Sequence, residues 1–197
     1  MRTGYLVYSG RGKPCLIRPH VSFSDMMSRS PERLQGDMGI VHGELPAGLI
    51  VRKLDRRRDD RGWFMEIFQN YWKGPIDPVQ WSLVRSNARV LRGLHIHLSH
   101  DEYIMPVFGQ FLVGLRDLRP DSPTRNRSCL LRLNCENPIA LLFPRGLLHG
   151  WYFMEDSLHL QAVSESYHDY HLHDNLGCLW SDPALDLPWP DAGALSF

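Results

Sequence analysis

Histidines at positions 95, 97 and 149 and a glutamate at 102 are the residues of this 197-residue chain best placed to do chemistry. They lie in Gly93-Leu94-His95-Ile96-His97, followed by Glu102 and Gly109, and in Pro144-Arg145-Gly146-Leu147-Leu148-His149. Residues two apart on a strand point to one face, so His95 and His97 can converge on a single interior point. Glu102 follows after a short turn, on what should be the neighbouring strand, and the Pro-x-Gly turn can swing His149 in from elsewhere. Three imidazoles and one carboxylate suit a divalent Fe, Mn, Ni, Cu or Zn ion, and the ligand set alone does not choose among them. The same residues can also form a buried polar cluster in which an imidazolium pairs with Glu102.

Such residues need strands to position them. From about residue 49 the chain reads as short apolar runs broken by turn chemistry. The runs include Leu49 to Leu54, Trp63 to Phe68, Val90-Leu91 leading into the histidine pair, Phe111 to Leu115, Ala140 to Phe143 and Leu158 to Val163. Asp121-Ser122-Pro123, Glu136-Asn137-Pro138 and Pro144-Arg145-Gly146 separate them as turns. No long stretch carries a helical period, which predicts an all-β barrel or sandwich. Residues 1–45 differ and read as an N-terminal extension, leaving 46–197 as the barrel domain. Within the extension Tyr5 to Tyr8 and Cys15 to Ile17 read as short strands, and Ser28 to Gln35 as a short helix or loop. The tail from Asp182 to Pro190 is rich in proline and is expected to pack in extended form over the barrel.

Composition narrows the function classes. Lysine plus arginine and aspartate plus glutamate each number 22, so no net charge draws the chain to nucleic acid or to an anionic membrane. No apolar run approaches a membrane span, and the N-terminus lacks a signal-peptide core. Cys15, Cys129, Cys135 and Cys178 are scattered without a CxxC pair, as expected of reduced thiols in a cytoplasmic protein.

The histidine, glutamate and glycine spacings, with Pro-x-Gly-x-x-His, resemble the two motifs of the cupin superfamily. An ordered series of further segments is similar to the dTDP-4-dehydrorhamnose 3,5-epimerase family, itself a cupin-fold group. These are Asp60-Arg61-Gly62-Trp63-Phe64-Met65-Glu66, Gln80 leading to Ser86, Leu91-Arg92-Gly93-Leu94-His95, Asp117-Leu118-Arg119 with Ser122-Pro123-Thr124, Glu136-Asn137, Pro144 to Gly150, Trp180-Ser181-Asp182-Pro183 and Trp189-Pro190. The resemblance implies a cupin-type β-barrel or jelly roll that epimerises carbons beside the ketone of a nucleotide-diphosphate 4-keto-6-deoxy sugar, with no organic cofactor. It implies His95 as the base that removes the C–H proton and Tyr170 as the group that returns one from the opposite face. It also implies Arg61, Phe64, Glu66, Gln80 and Arg92 as substrate-binding positions, and a homodimer across whose interface the first segment reaches.

Three departures from that family bear on the chemistry. His97 replaces a glutamine and Glu102 replaces a lysine. The aspartate that orients the catalytic histidine past the Trp-Pro segment has no counterpart in Leu195-Ser196-Phe197, though Asp191 is a stand-in candidate. A carboxylate at 102 opposes the negative charge that builds on the ketone oxygen, whereas a cation held there would stabilise it. A metal on His95 would take the lone pair that proton abstraction needs, so the two roles of His95 compete. Two alternatives to the epimerase therefore stand: a metal-dependent cupin enzyme that keeps the sugar-nucleotide pocket, and a non-catalytic nucleotide-sugar binding protein. If a metal takes His95, other polar candidates for the base are His100, His159, His168, His171 and His173, most of which read as loop or surface residues.

Overall fold

The computed structural model describes residues 6–8, 14–16, 39–72, 74, 76–170, 174, 176–190 and 195–196. Two compact units divide the chain, Met1–Asp37 and Met38–Phe197. The first contains an antiparallel hairpin of β1 (Leu6–Tyr8) and β2 (Pro14–Leu16). The segment from Ser28 to Gln35 lies outside the described residues.

The second unit is nearly all strand. Its elements are β3 (Ile40–Gly43), β4 (Ile50–Lys53), β5 (Arg56–Asp59), β6 (Gly62–Met65), β7 (Gln80–Ser86), β8 (Val90–Ile96), β9 (Glu102–Phe108), β10 (Gln110–Asp117), β11 (Ser128–Asn134), β12 (Ile139–Phe143), β13 (Leu147–Phe153) and β14 (Ser157–Val163). After these come a helical turn α1 (Tyr167–Tyr170) and two short strands, β15 (Leu176–Gly177) and β16 (Leu195–Ser196). Two sheets face each other as a jelly roll. One runs β15-β8-β13-β10-β11-β3, with β16 alongside β8, and the other β4-β12-β9-β14-β7. The barrel unit begins earlier than residue 46, because β3 pairs with β11 inside the first sheet.

The core explains why several strands read as unbroken apolar runs. The inner faces of β10, β11 and β13 (Val113, Leu115, Leu131, Phe153) meet Ile104, Leu141 and Phe143 from the facing sheet. The outer face of the first sheet is also covered, by Trp180, Leu185, Leu187 and Trp189 of the tail packed on Leu91, Leu94, Leu112 and Leu148. Strands buried on both faces lose their alternation. Gly114 shows how closely the tail packs, since a Cβ there would lie 2.5 Å from the Trp189 ring. The outer face of the second sheet is covered by Leu54, Phe68, Trp72 and Ile76 against Tyr103, Met105, Leu142 and Ala162.

One irregularity aims the site. On β8, Val90 points into the core and Leu91 to the outer face. Simple alternation from there would turn His95 and His97 outward. Across from β13, however, His149 pairs with His95 and Gly150 with Gly93, so Leu94 is an extra, unpaired residue. This β-bulge reverses the parity: Leu94 packs outside, while Arg92, His95 and His97 all face inward. Glycine at 93 permits it, because the backbone there has φ +110° and a Cβ would meet the Gly150 Cα at 2.8 Å.

Candidate active site

The inward residues of both sheets enclose a cavity of about 280 Å³. The first sheet and the turn after it contribute Arg92, His95, His97, His100, His149 and Trp151; the second contributes Glu102, His159 and Gln161, with Val84 and Val163. Glu102 therefore lies across the interior from His95, since β9 belongs to the facing sheet rather than beside β8.

Glu102 is the hub. Its Oε1 lies 2.9 Å from His97 Nε2, 3.6 Å from His100 Nε2 and 3.6 Å from His149 Nε2. Gln161 donates to its other oxygen at 3.4 Å. Burial would raise the Glu102 pKa, but the imidazoles of His149, His100 and His97 hold it well below the usual carboxylate range. Burial works against a charge on His97, yet the hydrogen bond and charge of Glu102, with the help of Asp174, raise its pKa above the ordinary value. His149 has its pKa pushed down to about 4, chiefly by burial, and stays neutral.

The rings are held from behind. His97 Nδ1 is 3.0 Å from the Asp174 carbonyl oxygen, and His149 Nδ1 is 3.0 Å from that of Leu147. His100 Nδ1 lies 2.9 Å from the Asp174 carboxylate. These oxygens only accept, so each Nδ1 carries the hydrogen and each Nε2 is turned toward Glu102. Asp174 also fixes the turn after β8, accepting from Leu98 N at 2.6 Å, from Ser99 N and from the Ser99 hydroxyl at 2.5 Å.

His95 stands apart from this cluster. Its ring centre is 6.4 Å from that of His97 and 6.5 Å from that of His149. The donor atoms of His97, Glu102 and His149 lie within 4.8 Å of one another, as do those of His97, His100 and Asp174; His95 belongs to neither group. The four-residue metal set expected from spacing thus loses His95. Half-buried His95 has its pKa lowered, first by burial and then by His97, which favours a neutral ring with a lone pair to use. Among the described residues it has no hydrogen-bonding partner.

Two further expectations need correction. His100 and His159 are not surface residues; each is 1% exposed. His159 is sandwiched, its ring stacked on Trp151 and Phe153 at 6.0 and 5.7 Å, and its pKa is pushed down to about 4, chiefly by burial. His168 is exposed, and His171 and His173 lie outside the described residues. Spacing did not single out Asp174, whose partners lie some 75 positions away in the chain. Trp151 and Gln161 were likewise missed, since on paper they are ordinary members of strand runs.

The substrate-binding positions divide. Arg92 reaches the cavity, its Nε donating to the Ser86 hydroxyl at 2.8 Å. Arg61, Phe64, Glu66 and Gln80 do not line it. Arg61 pairs with Asp59 at the tip of the β5–β6 hairpin, where Trp63 and Phe64 are 54% and 59% exposed. Gln80 accepts from the Tyr167 backbone N–H at 2.9 Å, tying α1 to β7. Tyr170 ends α1; its side chain, like Asp191, lies outside the described residues.

A family model described as dTDP-4-dehydrorhamnose 3,5-epimerase matches residues 45–196. The enzyme of that name from Shigella flexneri is 29% identical over 161 residues, covering 78% of this chain and 87% of the relative. The spore coat polysaccharide biosynthesis protein SpsL of Bacillus subtilis is 28% identical over 143 residues, covering 72% and 95% respectively. Among solved structures, the dTDP-4-dehydrorhamnose 3,5-epimerase of Bacillus anthracis, with TDP and pyrophosphate bound, superposes with a TM-score of 0.71 at 25% identity, covering 81% of this chain and 94% of that one. A Legionella pneumophila epimerase in complex with dTDP-4-keto-L-rhamnose has the same fold, with a TM-score of 0.70 at 24% identity, covering 81% and 88%. With the Arg-Gly-Leu-His bulge and the cavity it faces inside the matched span, this chain belongs to the dTDP-4-dehydrorhamnose 3,5-epimerase family.

Proposed function

We propose that the chain is a nucleotide-sugar epimerase that inverts carbon beside the ketone of a nucleotide-diphosphate 4-keto-6-deoxy sugar. The observation that carries this reading is His95: bulge-aimed into the cavity, kept neutral by burial and free of hydrogen bonds among the described residues. A C–H beside a ketone is acidic because the resulting charge spreads onto the carbonyl oxygen. A positioned neutral imidazole can take that proton. Inversion requires a proton from the opposite face, the role we assign to Tyr170.

The cavity has room for a sugar ring but not for the whole nucleotide. The diphosphate then lies toward Arg92, whose planar guanidinium can grip two phosphate oxygens. The exposed β5–β6 hairpin with Arg61, Phe64 and Glu66 serves a partner's cavity in a homodimer, which accounts for its distance from the cavity of its own chain. A dTDP-sugar is the first substrate to test, because relatives in complex with dTDP sugars share the fold. Among the described residues no helix is long and apolar enough to cross a membrane. Cys129, Cys135 and Cys178 are free thiols, which supports placement in the reducing cytoplasm.

The test is to incubate the protein with a dTDP-4-keto-6-deoxyhexose in deuterated water. Deuterium should enter at carbon beside the ketone, and His95→Asn should abolish the exchange. Tight nucleotide-sugar binding with no exchange would overturn the reading in favour of a binding protein.

A further inference from the structure

The cavity carries more metal-ligating chemistry than a proton-transfer reaction requires. We propose that His97, Glu102 and His149 bind one divalent transition-metal ion, and that His95 is not a ligand. This rests on the epimerase reading only for its consequence, since the site itself is argued from the donors.

Three observations carry it. First, the donor spacing fits. Two ligands about 2.1 Å from a tetrahedral ion sit roughly 3.4 Å apart, and Glu102 Oε1 lies 2.9 Å from His97 Nε2 and 3.6 Å from His149 Nε2, the three donor atoms all lying within 4.8 Å of one another. Second, the tautomers are fixed for it. Carbonyl or carboxylate oxygens behind each ring hold the hydrogen on Nδ1 and leave Nε2 to coordinate, an arrangement that recurs behind metal-bound histidines. Third, one of these atoms is left without a partner. His149 Nε2 is buried and has no hydrogen-bond partner among the described residues. With its hydrogen on Nδ1, its lone pair faces Glu102 Oε1, which is also without a hydrogen-bond partner among the described residues, and two facing acceptors call for a positive or donating group between them, a role a metal ion fills. An ordinary ion pair between His97 and Glu102 accounts for one of the two approaches and leaves that of His149 unexplained.

The exclusion of His95 has a functional meaning. Its ring centre is more than 6 Å from those of His97 and His149, so it keeps its lone pair while the other two histidines and Glu102 of the facing sheet hold the ion. A divalent ion beside one carboxylate leaves net positive charge facing the cavity, the sign that a ketone oxygen gaining charge requires. The chain would thereby supply by coordination what an ammonium would supply directly.

The test uses the full chain, stripped with a chelator and titrated with Zn²⁺ alone by calorimetry, and separately with Co²⁺ while the visible spectrum is recorded. About one equivalent of Zn²⁺ should bind, and Co²⁺ should give d–d bands with the intensity of a low-symmetry, nitrogen-rich site. His149→Ala and Glu102→Gln should each abolish the stoichiometric binding and the bands, whereas His95→Ala should keep both. Thermal unfolding of each metal-free variant shows whether it folds. If His149→Ala does not fold, the Glu102→Gln and His95→Ala pair still decides. Wild-type binding below about a tenth of an equivalent, binding that survives in a folded His149→Ala or Glu102→Gln protein, or loss of binding in a folded His95→Ala protein would overturn the proposal. Deuterium exchange, run on the metal-free and the metal-loaded protein, keeps the outcomes separable: exchange without metal binding overturns only the metal site, and metal binding without exchange in the loaded protein overturns only the epimerase.

Discussion

His159 offers a quantitative handle on the cavity. It is buried between Trp151, Phe153 and Phe111, and its pKa in the folded protein is about 4. In the unfolded chain a histidine titrates near 6.5. The folded value is the lower one, so the unfolded state binds the proton first. The stability is fully present above pH 6.5 and is lost as pH falls toward 4. With these two values the loss attributable to His159 is about 2 kcal/mol at pH 5 and about 0.2 kcal/mol at pH 7. For a unit of this size that corresponds to roughly 4–8 °C in Tm. The perturbation is His159→Phe, which keeps an aromatic ring in the stack and removes the titrating group. Thermal unfolding of both proteins at pH 7 and pH 5 isolates the residue, because titrations common to the two cancel in the difference. The wild type should lose about 2 kcal/mol more than His159→Phe between the two pH values. Parallel losses in the two proteins, or an NMR titration of His159 near 6.5, would refute the reasoning.

Three other outcomes are expected. Replacing His95 with Asn should lower kcat by about 10³-fold or more; in the wild type the acid limb of kcat/KM should fall below the ordinary imidazole pKa, because a base lowered by burial and His97 loses activity only when pH drops through that lowered value. Gly150→Ala should cost about 1–3 kcal/mol in urea unfolding, since its Cβ would lie 2.5 Å from Leu94 Cδ2 and 2.9 Å from the Arg92 carbonyl oxygen. Asp117→Ala should cost about 3–5 kcal/mol, because the fully buried carboxylate takes hydrogen bonds from Arg119, Ser122 and Thr124, which hold its pKa far below the usual range despite burial, and would leave them unpaired.

Much of the fold was legible because turn residues separate the strands and no stretch keeps a helical period. A boundary at 45 agrees with where the family model begins to match but leaves out β3, because Ile40–Gly43 is short and becomes a strand only by pairing with β11, a contact about 90 residues away in the chain. The convergence of His97, Glu102 and His149 followed from spacing. Counting by two gave the right relation between His95 and His97, but it could not show that a bulge at Leu94 is what turns the pair inward. Nor could it show that 6.4 Å separates their rings and so divides their roles. His100 and His159 were misread because histidine has no strong preference for burial. Asp174 and the aromatic rings of β13 decide the matter, and they come from distant parts of the chain.

The bulge also governs how this pocket can vary. Arg92 and His95 ride on one strand, three positions apart, and the Gly93–Gly150 contact pins that strand in register. Glu102 hangs from the opposite wall, beyond a turn that Asp174 secures independently. The charge at position 102 is thus carried by a different sheet from the base, so that one position on the facing wall can exchange one electrostatic solution for another while the strand that delivers the base stays fixed.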